Sequence, residues 1–380
     1  MSSSNPTSKR STFESVTAFA PATVANVACG FDLLGFALEA PGDEVTARFY
    51  EDTITREGMQ ATQGMQVTQG MQATQATQSA KGAPQTNHRT PGVVISAIHN
   101  DGGRLPLEPE SNTAGKAVLA LLEDYFGKFD RESADQNEKF SWGIELEITK
   151  KMPFGSGLGS SAASAVAAVT AVNQLMGTPY TKSELLPFAL EGEAVASGAK
   201  HADNVAPSLL GGFVMVSSQD PTFHTQVPYP DSLTAVVLYP HIEIKTRDSR
   251  NVLPESVSFR DAVLQTEYMA GLITGLTTGD LNLIRRSLHD RLAEPYRASL
   301  IPGYTEIKNA ANRSGALGCS ISGSGPSVFA ITEHPGLAEE IGTAMAHVMK
   351  TKDIPADLYI SPINRTGSLC IASIPSPSNP

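Results

Sequence analysis

The chain has 380 residues, 41% of them hydrophobic and 18% charged, the balance of a soluble globular protein with room for two or three domains. A formal net charge of −11 argues against nonspecific binding to nucleic acid or to an anionic membrane, so any phosphate ligand must be held by local donors and a cation. No apolar run approaches the roughly 18–20 residues that would span a bilayer. The three cysteines, Cys29, Cys319 and Cys370, lack metal-ligand spacing and read as reduced thiols of a cytoplasmic protein.

In chain order, the Ser-rich start carries Lys9 and Arg10 without the amphipathic pattern of a transit peptide, so residues 1–15 are expected to be a disordered tail. Val16–Phe19 and Glu44–Tyr50 are predicted strands. From Gly58 a six-residue unit, Gly-Met-Gln-Ala/Val-Thr-Gln, recurs and decays toward Thr90. A period of six fits neither helix nor strand, and the unit is too polar to bury a core, so 58–90 is expected to be a low-complexity insertion. Val93–Ala97 resumes as a strand. Asn112–Tyr125 reads as a helix, with Ala117, Leu121 and Leu122 at helical spacing. Ile144–Ile148 alternates apolar and polar like a half-buried strand. Ala162–Met176 is an alanine-rich helix stopped by Gly177. Thr181-Lys-Ser-Glu184 is a capping box opening a helix to about Ala196, with Gly198 beyond it. Leu210–Val216 is a predicted strand, and the Pro-rich stretch 221–230 a boundary. Beyond it come a strand at Leu233–Tyr239, a helix at Asp261–Leu276, and a glycine loop with a strand within Ile321–Ile331. Strands and helices interspersed without a regular βαβ repeat predict an α+β fold in two domains, 16–228 and 229–380.

The chemistry concentrates in Pro153-Phe-Gly-Ser-Gly-Leu-Gly-Ser-Ser-Ala-Ala-Ser164. It lies between a strand and a helix start, where glycines admit close approach of backbone N–H groups and the helix terminus favours an anion. That makes a phosphate cradle from Pro153, Gly155, Ser156, Gly157, Leu158, Gly159, Ser160 and Ser161, although small residues also serve a tight strand-to-helix turn. It is neither a Walker loop, which needs Lys where Ser160 stands, nor a dinucleotide fingerprint, whose third glycine would also fall at Ser160. Phosphoryl transfer needs a cation, and Mg2+ takes few protein oxygens; Ser161 supplies a hydroxyl and Glu193 a carboxylate. Glu193 taken alone reads as a solvent-facing helix acid, and only its context favours the metal role. Lys200, His201, Asp203 and Asn204 are expected in one turn between two apolar elements, where a polar cluster needs partners or a ligand.

The phosphate string resembles that of the GHMP kinases. Ala18-Phe-Ala-Pro-Ala-Thr-Val-Ala-Asn-Val-Ala-Cys-Gly-Phe-Asp-Leu-Leu-Gly35 resembles the N-terminal motif of their homoserine kinase branch, in which an Asn and an Asp six residues apart bind the amino acid. The resemblance places those roles on Asn26 and Asp32. It puts carboxylate-binding arginines at Arg250 and Arg297, and further substrate contacts at His201 and Asp203. Asn204 falls where galactokinase-like and mevalonate-kinase-like relatives carry an Asp base. Gly318-Cys-Ser-Ile-Ser-Gly-Ser-Gly-Pro-Ser327 resembles the family's C-terminal glycine loop, which packs on the phosphate cradle.

What the resemblance implies is a ribosomal-protein-S5-domain-2-like N-terminal domain and a ferredoxin-like α/β sandwich after it. The implied activity is phosphorylation of L-homoserine by ATP with Mg2+, in cytoplasmic threonine biosynthesis. Asn204, Ser161 and Glu193 would be catalytic, and Ser161 and Glu193 would hold the metal. A homodimer with no nucleic-acid or membrane partner is expected. The alternatives are a catalytically silent ligand-binding protein of the same fold, or a sibling small-alcohol kinase such as a mevalonate kinase.

Overall fold

Val16, Ala18 and Ala20 are buried while their neighbours Thr17 and Phe19 are half-buried, and this period of two carries the first strand into a sheet. The computed structural model describes residues 12–51, 91–129, 142–244 and 246–376. Strand β1, Phe13–Val24, starts earlier than the sequence suggests, because residues 13–15, expected in the tail, pair with the other end of the chain. It is followed by β2 (Leu34–Glu51), β3 (Gly92–His99), helix α1 (Thr113–Phe129) and β4 (Trp142–Thr149). β3 and β4 are parallel, as a crossover through α1 requires. The insertion expected at 58–90 lies between β2 and β3, outside the described residues.

Three helices follow: α2 (Ser160–Leu175), α3 (Lys182–Ser197) and α4 (Ala202–Leu210). Helix α2 is buried on nearly every side, which explains its alanine-rich, non-amphipathic sequence. The capping box is present: the Glu184 carboxylate accepts from Thr181 N and Oγ1, each at 2.8 Å. Helix α4 corrects the expected turn. Pro207 and the Gly211-Gly212 pair suggest a break, so the strand predicted at Leu210–Val216 shrinks to β5, Phe213–Val216. Pro207 has no N–H for the Asp203 carbonyl, and that carbonyl instead packs against Gly35, where a Cβ would come within 1.9 Å of it. A short β6 (His224–Val227) pairs with β5 inside the Pro-rich stretch.

The second sheet is built from β7 (Thr234–Pro240), β8 (Gly318–Ile321), β9 (Val328–Thr332) and β10 (Ala356–Pro362). Its order, β10-β7-β9-β8, is antiparallel throughout and is the split ferredoxin-like arrangement. Between β7 and β8 run α5 (Thr246–Asn251), α6 (Phe259–Thr278), α7 (Leu281–Ser287), α8 (Glu294–Arg297) and α9 (Tyr304–Arg313); α10 (Pro335–Thr351) precedes β10. Val236, Leu238, Val328 and Ala330 pack toward α9 and α10. Ala235, Val237, Phe329 and Ile331 join the core of the first sheet, with the Phe329 ring edge-on to Phe36 at 5.9 Å. Burial on both faces explains the apolar run at Ala235–Tyr239.

The last strand, β11 (Leu369–Pro375), leaves this sheet and pairs antiparallel with β1, giving the first sheet the order β11-β1-β2-β4-β3. The division at 228/229 therefore does not hold to the end of the chain: the final strand of the second segment belongs to the first sheet.

Candidate active site

The loop from β4 to α2 has Gly155, Gly157 and Gly159 at φ 61°, 77° and 68°. A left-handed residue at every second position turns backbone N–H groups into one concavity, an arrangement that binds anions. Two of these glycines also have no room for a side chain. A Cβ on Gly157 would lie 2.5 Å from the Ser322 carbonyl oxygen, and one on Gly159 2.2 Å from Thr23 Oγ1. The second glycine loop closes from above: Ser322 Oγ donates to Gly157 O (2.7 Å) and Ser327 N to Ser156 O (3.1 Å). At the helix start Ser160 Oγ is buried with no partner among the described residues, leaving a donor for an incoming oxygen.

Beneath the loop sits a cluster that sequence reasoning missed, because Lys150-Lys151 after a strand reads as a solvated pair. Lys150 is 3% exposed and ion-paired with the wholly buried Asp43. Its Nζ also donates to Ser160 O (2.9 Å) and Ser164 Oγ (2.8 Å), so it joins both ends of the glycine loop. Asp43 accepts in addition from Lys151 N (2.9 Å) and Ser164 Oγ (2.8 Å). Burial pulls the Lys150 amine below the usual lysine range, and Asp43 opposes that shift.

Opposite the loop, α3 presents Glu193, 3% exposed, whose Oε2 accepts from Ser161 Oγ at 2.6 Å. His201 Nδ1 lies 3.3 Å from the other Glu193 oxygen, and His201 Nε2 lies 3.0 Å from Arg250 Nη2. Burial acts to lower the His201 pKa, but the hydrogen bond and charge of Glu193, with the charge of Asp203, outweigh it and the net direction is upward. Arg250 Nη2 also reaches both oxygens of Asp32 at 3.4 Å. Thr23 Oγ1 donates to Asn204 Oδ1 at 2.7 Å.

The loop after β1 is held in an uncommon conformation, with Asn26, Ala28 and Asp32 at φ 55°, 46° and 54°. Asn26 is its brace. Its Oδ1 accepts from Asp32 N (2.7 Å), its Nδ2 donates to Gly323 O (3.0 Å), and its N donates to Asp203 Oδ2 (3.2 Å). Arg297, 4% exposed, donates to the same Gly323 carbonyl through Nη1 (3.0 Å) and to Ser249 O through Nε (3.1 Å), with its guanidinium 5.1 Å from the Phe31 ring centre. Burial pushes the Asp203 carboxyl up to about 6, the Asp32 charge adding to the shift and His201 opposing it.

These groups surround one cleft of about 440 Å3. Asn26, Asp32, Gly155, Ser156, Gly157, Gly159, Ser160, Ser161, Glu193, His201, Asp203, Asn204, Arg250 and Arg297 all line it. Pro153 and Leu158 do not. The Pro153 carbonyl accepts from Ser156 Oγ (2.9 Å), and Leu158 is buried with its carbonyl accepting from Thr23 N (3.0 Å), so both support the cradle from behind. Leu105, Phe154, Glu243 and Arg247 line the cleft without having been singled out, since nothing in their spacing marks them.

Comparison with known proteins agrees with this geometry. Residues 112–212 match the model of the GHMP kinases N terminal domain and residues 272–351 that of the GHMP kinases C terminal domain. A homoserine kinase of Chlorobium phaeobacteroides is 43% identical over 360 residues, 94% of this chain and all of the relative; one from Chlorobaculum tepidum is 41% identical over 362 residues, 95% of this chain and 99% of the relative. The chain belongs to the homoserine kinases of the GHMP kinase family. A solved homoserine kinase from Cytophaga hutchinsonii, 44% identical, superposes with a TM-score of 0.79 over 96% of this kinase and 99% of the other. A solved mevalonate kinase from L. major shares the fold at 14% identity and a TM-score of 0.58.

Proposed function

We propose that the cleft binds ATP at the phosphate loop and L-homoserine beside it, and transfers the γ-phosphoryl group to the homoserine hydroxyl. The observation that carries this reading is the set of opposite charges around one cavity. Asp32 and Asp203 suit an ammonium, and Arg250 and Arg297 suit a carboxylate. A zwitterionic amino acid satisfies both pairs, whereas mevalonate has no ammonium to offer the carboxylates.

In the proposed step the hydroxyl oxygen bonds to the γ-phosphorus, the bond from that phosphorus to the β–γ bridging oxygen breaks, and the hydroxyl proton passes to a phosphoryl oxygen. The products are ADP and O-phospho-L-homoserine. No strong base is assigned to the acceptor, since Asn204 stands where galactokinase-like and mevalonate-kinase-like relatives carry an Asp; a loose transition state makes positioning and charge neutralisation sufficient. The nest of Gly155, Gly157 and Gly159, with Ser156 and Ser160, holds the phosphates. Ser161 and Glu193, a hydroxyl and a carboxylate 2.6 Å apart at the cleft wall, are the hard oxygen donors that Mg2+ takes. When bound, the cation neutralises charge on the phosphate oxygens. Asn26 keeps Asp32 in place, and His201 connects the Glu193 side of the cleft to Arg250.

Among the described residues no helix is long and apolar enough to cross a membrane. The relatives' homoserine kinase activity supports a place in threonine biosynthesis, and we propose that the enzyme works there as a cytoplasmic homodimer.

A coupled ADP-release assay with homoserine, mevalonate, galactose and buffer, with and without EDTA, tests the reading. Turnover confined to homoserine and abolished by EDTA is expected. Turnover on another alcohol would discard the amino-acid clamp, and silence with all of them would favour a ligand-binding protein.

A further inference from the structure

Thr23 is the penultimate residue of β1, is wholly buried, and connects the two halves of the cleft. Its backbone N donates to Leu158 O at 3.0 Å, which fastens β1 to the phosphate loop. Its hydroxyl donates to Asn204 Oδ1 at 2.7 Å, on the first turn of α4. Gly159 lies directly over this contact. A Cβ there would come within 2.2 Å of Thr23 Oγ1 and 2.7 Å of Asn204 Oδ1, so the last glycine of the loop leaves space for the hydroxyl–amide pair.

The two ends of a carboxamide have nearly the same shape and opposite hydrogen-bonding sense, so an unrestrained Asn presents either a donor or an acceptor. The carboxamide oxygen is its only acceptor atom, and here one of its two lone pairs accepts from the Thr23 hydroxyl, which draws that end of the amide toward β1. The Nδ2 end is then the one left for the cleft that Asn204 lines.

We propose that Thr23 is a positioning residue that fixes the Asn204 amide with its nitrogen toward the acceptor hydroxyl and holds that amide at a set distance from the phosphate loop. An N–H directed at the homoserine oxygen turns the hydroxyl's lone pair toward the γ-phosphorus. The tie through Leu158 keeps the nucleophile-orienting group and the donor loop in one frame. This role rests on the reading of the cleft as a homoserine kinase site.

The test is steady-state kinetics on Thr23→Val, which keeps the shape and removes the hydroxyl, beside Thr23→Ser, Thr23→Ala and the wild type. Misalignment at the reacting centre predicts a fall in kcat of about 10- to 100-fold for Thr23→Val, with both KM values within about threefold and Thr23→Ser close to wild type. A Thr23→Val enzyme with wild-type kcat would overturn the proposal. So would a raised KM at unchanged kcat, which would make Thr23 a binding residue, or equal losses in the Val and Ser variants, which would make it a packing residue. Should Thr23→Val fail to fold by circular dichroism, Thr23→Ala is judged by the same criteria. Wild-type turnover separates the two levels: its absence on homoserine would overturn the functional reading and this role together, whereas an active wild type with an equally active Thr23→Val would overturn the Thr23 role alone.

Discussion

Asp203 shows what a single buried carboxyl does to this site. With its pKa raised to about 6, it holds a proton in the folded chain that the unfolded chain releases at lower pH. The sign follows: ionised Asp203 weighs against folding of the ligand-free protein, fully so above pH 6, fading as pH falls toward the ordinary carboxyl range, and absent below it. An ammonium ligand reverses the balance by favouring the carboxylate. The KM for homoserine should therefore rise as pH falls below 6, by about tenfold from pH 7 to pH 5 if the carboxylate form is the one that binds. A KM series across that range checks it, and a flat profile would remove Asp203 from ammonium recognition. The Asn26–Asp32 spacing was legible as a motif, but its physical basis was not. Asn26 spends its amide on Asp32 N and Gly323 O, contacts that join residues 6 and 297 positions apart and that no local pattern reveals.

At the scale of elements, the glycine loop between β4 and α2 was readable because its requirements are local. Three left-handed positions need glycine, and the helix behind them needs small residues to sit buried beneath a sheet. The support under the loop was not readable, since Asp43 comes from β2 and Lys150 from just past the end of β4, and α4 was hidden by Pro207 and the glycines after it. Lys150 is a structural staple with a measurable consequence. Lys150→Met leaves Asp43 buried without its counter-charge, which predicts a loss of roughly 3–5 kcal/mol in chemical denaturation. The double variant Asp43→Leu with Lys150→Met should recover much of that loss. A Lys150→Met protein as stable as the wild type would show that the loop closes without the ion pair.

For the whole molecule, the cleft exists because the two sheets share a core. Phe36, Phe213 and Phe329 are fully buried, and Phe36 touches the other two, so Asn26 and Asp32, in the loop between β1 and β2, stand fixed relative to Arg250 and Arg297 of the second segment. The α+β class and the two-part organisation were evident from element order. The return of β11 to β1 was not, because an exposed C-terminal strand of seven residues says nothing about which edge it will join.

The central claim is that this cleft moves a phosphoryl group from ATP to a bound amino-acid alcohol. The most direct measurement is 31P NMR of wild-type protein with ATP, Mg2+ and L-homoserine. The account predicts loss of the γ-phosphate resonance matched one for one by ADP and a new phosphomonoester. Inorganic phosphate as the only new product, or an unchanged ATP spectrum, would contradict it.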